Sequence, residues 1–124
     1  MQLRTLCASF LLPLSGVFLL PGCLGRRPVP EGATGDQIYV LQNCKLCHKA
    51  DGSGGRRGPK LEDLTRHWSV ERLVLYLEDP EQIIADDERL LSREDDFTLS
   101  MPSYRNLTFE QRTTLAEWLL QTYP

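Results

Sequence analysis

Two cysteines and a histidine form the segment of this sequence with the clearest chemical use, Cys44-Lys45-Leu46-Cys47-His48. The pattern C-x-x-C-H is typical of c-type haem attachment. On a helix, residues three apart share a face, so Cys44 and Cys47 can bond to the two vinyl groups along one haem edge. His48 follows the second thiol directly and can ligate the iron from beneath the ring. The motif therefore predicts one covalently attached haem c.

Two other chemistries also use a C-x-x-C pair, a structural zinc site and a dithiol redox site. A zinc site needs about four ligands, and outside the motif the chain offers only Cys7, Cys23 and His67. A redox pair does not require the adjacent histidine. Haem attachment is therefore the favoured interpretation.

The start of the chain has the pattern of an export signal. Arg4 is the only charged residue before Arg26, and an apolar run extends from Leu6 to Leu20. One positive charge ahead of such a run is typical of a signal peptide. We therefore predict that residues 1–22 form an export signal. An uncleaved membrane anchor is the alternative, because the run is also long enough for a spanning helix.

The apolar run ends in Leu20-Pro21-Gly22-Cys23, which resembles the bacterial lipobox. In that pattern the cysteine becomes the lipidated first residue of the mature protein. We predict a membrane anchor at Cys23, on the periplasmic side of the bacterial cell envelope; an ordinary signal peptide with an incidental cysteine is the alternative. Residues 23–33 contain two Pro and two Gly without an apolar period. This composition predicts a flexible tether.

Helical signals dominate residues 34–124, where no strand pattern and no internal repeat is visible. Capping residues predict where three of the helices begin. These helix starts are Thr34 with Gln37, Ser69, and Thr108 with Gln111. A short helix is predicted over residues 80–85, and the first helix is predicted to run into the haem motif. The domain at residues 34–124 is therefore predicted to be all-α, with about four helices wrapped around one haem.

Several short motifs in this domain share their order and spacing with a known family. They are the haem motif, a glycine-rich loop, Gly58-Pro59-Lys60-Leu61, Asp79-Pro80, Met101-Pro102 and a closing amphipathic helix. Together they resemble the class I cytochromes c. The resemblance implies the fold of that class, in which the first and last helices cross near the haem, and a role in one-electron transfer. It also implies that the carbonyl of Pro59 accepts a hydrogen bond from His48.

The sixth position of the iron has two sensible occupants, or none. Met101 is the only methionine left after removal of the signal, it precedes Pro102, and the family resemblance places the axial methionine here. His67 is interpreted as a surface or propionate-side residue. If Met101 instead fills the core, the iron is five-coordinate. We predict His48 and Met101 as the metal ligands.

The charge of the chain is unevenly placed, although the formal net charge is only −3. Residues 78–96 contain nine acidic residues and two arginines, whereas basic residues surround the haem motif. These basic residues are Lys45, Lys49, Arg56, Arg57 and Lys60. They predict long-range attraction of an acidic redox protein, whose identity the sequence does not give. The small patch, the acidic chain and the predicted compartment argue against nucleic-acid binding.

Electron transfer is the leading functional hypothesis, by a membrane-tethered mono-haem c-type cytochrome with His/Met-ligated iron. Such an iron has no open position for a substrate. The alternative is a haem-based sensor or gas-binding protein with five-coordinate iron. A peroxidase would need an open iron position and distal acid–base groups, and the sequence offers none beyond His67. No enzymatic activity is therefore predicted.

Overall fold

The structure is a computed structural model that describes residues 26–124. The predicted signal peptide at residues 1–22 and the predicted lipid site at Cys23 lie outside these residues. Seven α-helices and one 3-10 helix occur in the described part, which contains no β-strand. They are α1 Gly35–Leu41, α2 Lys45–His48, α3 Leu64–His67, α4 Val70–Glu78, α5 Pro80–Ala85, α6 Glu88–Leu91, the 3-10 helix Glu94–Asp96 and α7 Phe109–Thr122. The all-α prediction is confirmed, and α2, α3 and α6 are single turns beyond the four predicted helices.

The helix starts predicted from capping residues are confirmed. The backbone N–H of Thr34 donates to the Gln37 side chain at 3.0 Å, at the start of α1. Ser69 accepts a hydrogen bond from the first turn of α4. At α7, Thr108 and Gln111 exchange two hydrogen bonds of 3.0 and 3.1 Å between side chain and backbone. Local side-chain chemistry therefore sets where these helices begin.

The sequence predicts that the first helix runs into the haem motif. This prediction is wrong, because α1 ends at Leu41. Asn43 has a positive φ of 63°, a left-handed conformation that asparagine tolerates better than most residues. A new helix, α2, begins after Cys44. The break turns the chain, so the haem motif has its own direction relative to α1.

The first and last helices cross at a glycine. A Cβ on Gly35 would lie 2.1 Å from the Cβ of Trp118, so only glycine allows this approach of α1 to α7. Tyr39, one turn further along α1, also packs on Trp118, with the ring centroids 5.3 Å apart. Helix α4 also packs on α7, and the buried side chains between the three helices form the core. They include Ile38, Leu73, Val74, Leu77, Leu115, Ala116 and Leu119.

Residues 26–33 pack on the domain and do not form the free tether that their composition predicts. Val29 contacts the core, and Ala33 is buried. The Gln42 amide donates to the carbonyl of Arg27 at 2.9 Å, and the Gln111 amide donates to the carbonyl of Val29 at 3.2 Å. Side chains of the domain thus satisfy backbone groups that a proline-rich segment cannot pair with itself. We call residues 26–33 the N-terminal strap.

None of the helices in residues 26–124 combines the length and the hydropathy that crossing a membrane requires.

Candidate functional site

Helix α2 brings two thiols and an imidazole together within one turn. The backbone N–H of His48 donates to the carbonyl of Cys44 at 3.0 Å, which closes the turn. Cys44 and His48 are buried and Cys47 is half-buried, and both cysteines are free thiols. The three side chains that the motif singles out therefore belong to one local site.

His48 is held by the carbonyl of Pro59, which lies 2.8 Å from its Nδ1. Because a carbonyl only accepts hydrogen bonds, Nδ1 carries the proton and the lone pair is on Nε2. Burial lowers the pKa of His48, against the opposite effect of the Pro59 carbonyl. The imidazole is therefore neutral at neutral pH. A neutral ring with one nitrogen fixed and the other free is the form that ligates a metal.

A tight loop carries the Pro59 carbonyl to His48. Gly54 has a φ of +65°, and its backbone N–H donates to the carbonyl of His48 at 3.0 Å. A Cβ on Gly54 would lie 2.4 Å from the backbone nitrogen of Lys60. The loop therefore folds back on itself without space for a side chain, and this close approach places the Pro59 carbonyl beside the imidazole.

The thiol of Cys44 lies against a buried tyrosine. Its Sγ is 3.8 Å from the hydroxyl of Tyr104. Burial raises the pKa of Cys44 to about 11, so this group is a neutral thiol at neutral pH. Tyr104 is fixed in turn, because its backbone N–H donates to the carbonyl of Leu77 at 2.8 Å. The sequence does not single out Tyr104, since nothing in the local pattern links it to Cys44.

Met101 lies in the irregular segment before α7, where it is half-buried and packs against the core. It lines a surface cleft of about 350 Å³ together with Pro80, Pro102 and Arg105. The lining of this cleft does not include Cys44, Cys47 or His48. The two regions meet through the contact of Tyr104 with Cys44.

His67 is the last residue of α3, and its side chain is exposed. The neighbouring Trp68 is half-buried, and its ring centroid lies 4.8 Å from that of Tyr76. The guanidinium groups of Arg72 and Arg89 lie 5.9 and 5.6 Å from the centre of the Trp68 ring. This side of α4 is therefore lined by aromatic and cationic groups, while His67 faces the solvent.

All five basic residues around the haem motif are exposed, as a docking surface requires. They are Lys45, Lys49, Arg56, Arg57 and Lys60. Lys60 also forms an ion pair of 2.6 Å with Glu62, and both side chains are more than half exposed. Such a surface pair contributes little to stability, but it partly offsets the positive charge of Lys60.

The donor set of this site fits a covalently bound haem. Two free thiols stand one helical turn apart, and a neutral imidazole follows with Nε2 available. A Cβ on Gly58 would lie 3.0 Å from the Cβ of Cys47, so the loop lies directly against the motif. The family model described as Cytochrome c matches residues 32–123. Comparisons with curated proteins and with solved structures give no match.

Proposed function

The chain belongs to the cytochrome c family and binds haem c covalently, and from this we propose that it transfers single electrons through an iron ligated by His48 and Met101. Haem iron supplies the one-electron chemistry when bound. The observation that carries the proposal is the contact of 2.8 Å between His48 Nδ1 and the Pro59 carbonyl. It fixes the orientation of the ring and leaves Nε2 for the iron.

Cys44 and Cys47 would hold the haem through thioether bonds. Two observations support this attachment. One helical turn sets both thiols beside His48, and the two cysteines do not form a disulfide with each other. Cys44 lies between its own helix and the hydroxyl of Tyr104. Tyr104 therefore limits the positions that a group attached to Cys44 can take.

Met101 is the better candidate for the distal ligand for two reasons. It is the only methionine in residues 26–124, and it is half-buried against the core, whereas His67 is exposed on α3. Pro102 favours an extended backbone at Met101, which suits a side chain that points inward from a loop. A His/Met pair raises the potential of the iron and leaves no open position for a substrate.

Two variants of the haem-loaded protein test the ligand assignment. Met101→Ala should abolish the weak sulfur-to-iron absorption band in the near-red, lower the potential and let carbon monoxide bind. His67→Ala is the matched control and should leave all three properties unchanged, because its side chain is exposed. If His67→Ala opens the iron while Met101→Ala leaves the spectrum alone, bis-His ligation replaces the assignment.

The second candidate function is gas binding by five-coordinate iron. It is favoured by one observation, that Met101 packs against the buried core. In that case Met101 serves only in packing. The reduced wild-type protein would then bind carbon monoxide at once, whereas a closed His/Met site binds it poorly.

We further propose that lipid on Cys23 anchors the domain on the periplasmic side of the bacterial cell envelope. Because the N-terminal strap packs on the domain, such an anchor would hold the domain more closely than a flexible tether would. Only two residues separate Cys23 from Arg26, and three Cα-to-Cα steps reach at most about 11 Å. The domain would therefore be held close to the membrane surface, without the free rotation that a flexible segment over residues 23–33 allows.

Fractionation tests the anchor. Cys23→Ser should move the protein from the membrane to the soluble part of the cell envelope. Retention of this variant in the membrane, with the signal intact, would favour an uncleaved helix.

The exposed basic residues around the haem motif support docking of an acidic redox protein. Attraction between unlike surfaces raises the rate of encounter more than the affinity. The donor and the acceptor of the electron are therefore proposed to carry acidic surfaces near their own redox centres.

A further inference from the structure

The backbone that follows Met101 has no regular secondary structure, yet it is tied down by many long-range contacts. We call residues 102–107 the ligand loop; they connect Met101 to the start of α7. We propose that Arg26 and Arg112 are positioning residues that clamp this loop from two sides and so hold Met101 in place. The inference rests on the proposed ligation of the iron by Met101.

Arg112 clamps the loop from α7. Its side chain is buried, and one terminal nitrogen donates to the carbonyl of Leu107 at 2.7 Å and to that of Tyr104 at 3.4 Å. The other terminal nitrogen forms an ion pair of 3.1 Å with Glu78. A buried guanidinium is costly unless it is paired and hydrogen-bonded. Here its donors go to the two carbonyls of the ligand loop, so they fix its geometry.

The same guanidinium is incompletely satisfied. Its Nε is buried and has no hydrogen-bond partner among the described residues. A well-packed apolar side chain of similar volume at a buried position is often as stabilising as a charged one. Stability alone therefore gives little reason for an arginine at position 112. The hydrogen bonds from its guanidinium to the carbonyls of Tyr104 and Leu107 do give a reason.

Arg26 clamps the loop from the N-terminal strap. It donates to the carbonyl of Ser103, and to the side-chain oxygen of Asn106 at 3.0 Å. Its guanidinium also lies 4.4 Å from the centre of the Tyr104 ring, within the range of a cation–π interaction. One side chain from the strap thus engages three residues of the ligand loop.

The end of α4 also holds the ligand loop, through two hydrogen bonds. The Ser103 hydroxyl donates to the carbonyl of Glu78 at 2.8 Å, and the backbone N–H of Tyr104 donates to Leu77. Ser103 is only two residues from Met101, so the backbone cannot shift there without moving the methionine. Tyr104 also contacts the Cys44 thiol. A displaced loop would therefore disturb both Met101 and the wall beside the haem attachment site.

Loss of one clamp should change how often Met101 leaves the iron, while the resting ligand stays the same. Arg26→Ala is the first test, because Arg26 is exposed and the core does not depend on it. In the haem-loaded ferrous protein it should raise the rate of carbon monoxide binding about fivefold, which corresponds to the loss of one net hydrogen bond. The near-red band of the ferric protein should remain.

Arg27→Ala is the matched control, since it removes the same charge one residue away. The side chain of Arg27 makes no hydrogen bond or ion pair with the described residues. Only its backbone does so: the N–H donates to the carbonyl of Leu41 at 3.4 Å, and the carbonyl accepts from the Gln42 amide. This variant should bind carbon monoxide at the wild-type rate. Arg112→Lys tests the buried side of the clamp: it keeps the positive charge but loses the fork, and it should also speed carbon monoxide binding.

Three results would overturn the clamp. The first is an equal, wild-type rate of carbon monoxide binding in Arg26→Ala and Arg27→Ala. The second is a lower melting temperature of Arg26→Ala with no change in that rate, which would make the role of Arg26 structural only. In both cases the assignment of Met101 stands if Met101→Ala abolishes the near-red band. The third is survival of that band in Met101→Ala, which would refute the ligand assignment and the clamp together.

Discussion

Gly54→Ala is expected to weaken both the fold and the hold on His48. Gly54 lies in the loop that carries the Pro59 carbonyl to the imidazole, and it has a φ of +65°. An added Cβ would lie 2.4 Å from the nitrogen of Lys60 and 2.5 Å from the carbonyl carbon of Pro59. These are backbone atoms, so no side-chain rotation can relieve the contact.

The cost of this substitution has two parts. Alanine in the left-handed conformation costs about 1 kcal/mol relative to glycine. An ordinary contact would also require the peptide at residues 59–60 to move by about 1 Å, and forced rearrangements of this kind cost about 2 kcal/mol. The total is about 3 kcal/mol of unfolding free energy.

Gly32→Ala separates the two parts, because Gly32 has a φ of +73° but no atom within 4 Å of an added Cβ. It should cost only about 1 kcal/mol. Thermal unfolding of the haem-loaded variants should therefore give melting temperatures roughly 10 °C apart, with Gly54→Ala the lower. Equal melting temperatures for the two variants would refute the close packing of the loop against Lys60.

Three further predictions concern other parts of the molecule. Gly35→Ala should destabilise the haem-loaded protein by roughly 3 kcal/mol in denaturant titrations, because its Cβ would overlap Trp118 where α1 crosses α7; a cost under roughly 1 kcal/mol would contradict that crossing. Burial alone raises the pKa of Asp87, but the Arg72 hydrogen bond and other contacts lower it overall. Asp87→Asn should therefore cost about 1 kcal/mol at pH 7. This difference should shrink as the pH falls below about 4, the ordinary pKa of aspartate, and should vanish only below the lowered pKa of Asp87 in the folded protein; a difference that persists below that pH would point to packing. Electron exchange with the natural partner should slow as salt rises, since the Debye length is only ~8 Å at physiological ionic strength; rates independent of salt would remove the steering proposal.

The parts of the fold that the sequence predicts well depend on neighbouring residues. Helix starts at Thr34, Ser69 and Thr108 follow from side chains that bond within their own first turn. The C-x-x-C-H motif is local in the same sense, because one helical turn brings its thiols and imidazole together. The sequence predicts the short helix at Pro80–Ala85 with its observed bounds.

The features that the sequence does not predict depend on contacts between distant residues. The composition of residues 23–33 predicts a flexible tether, and it does not show that Gln42 and Gln111 will bind carbonyls of the N-terminal strap. The break in α1 comes from the left-handed backbone of Asn43, which asparagine permits without requiring it. Arg112 lies three residues before Leu115 on the buried side of α7, and this spacing was the one available signal that it points inward.

X-ray absorption at the iron edge of the haem-loaded ferric protein is the most direct test of iron ligation by His48 and Met101. It reports the atoms bound to the iron without reference to any partner or activity. Ligation by Met101 predicts a sulfur neighbour beside the nitrogens of the haem and His48, and the loss of that sulfur in Met101→Ala. An iron surrounded by nitrogen alone, or a sulfur signal that survives in Met101→Ala, would contradict it.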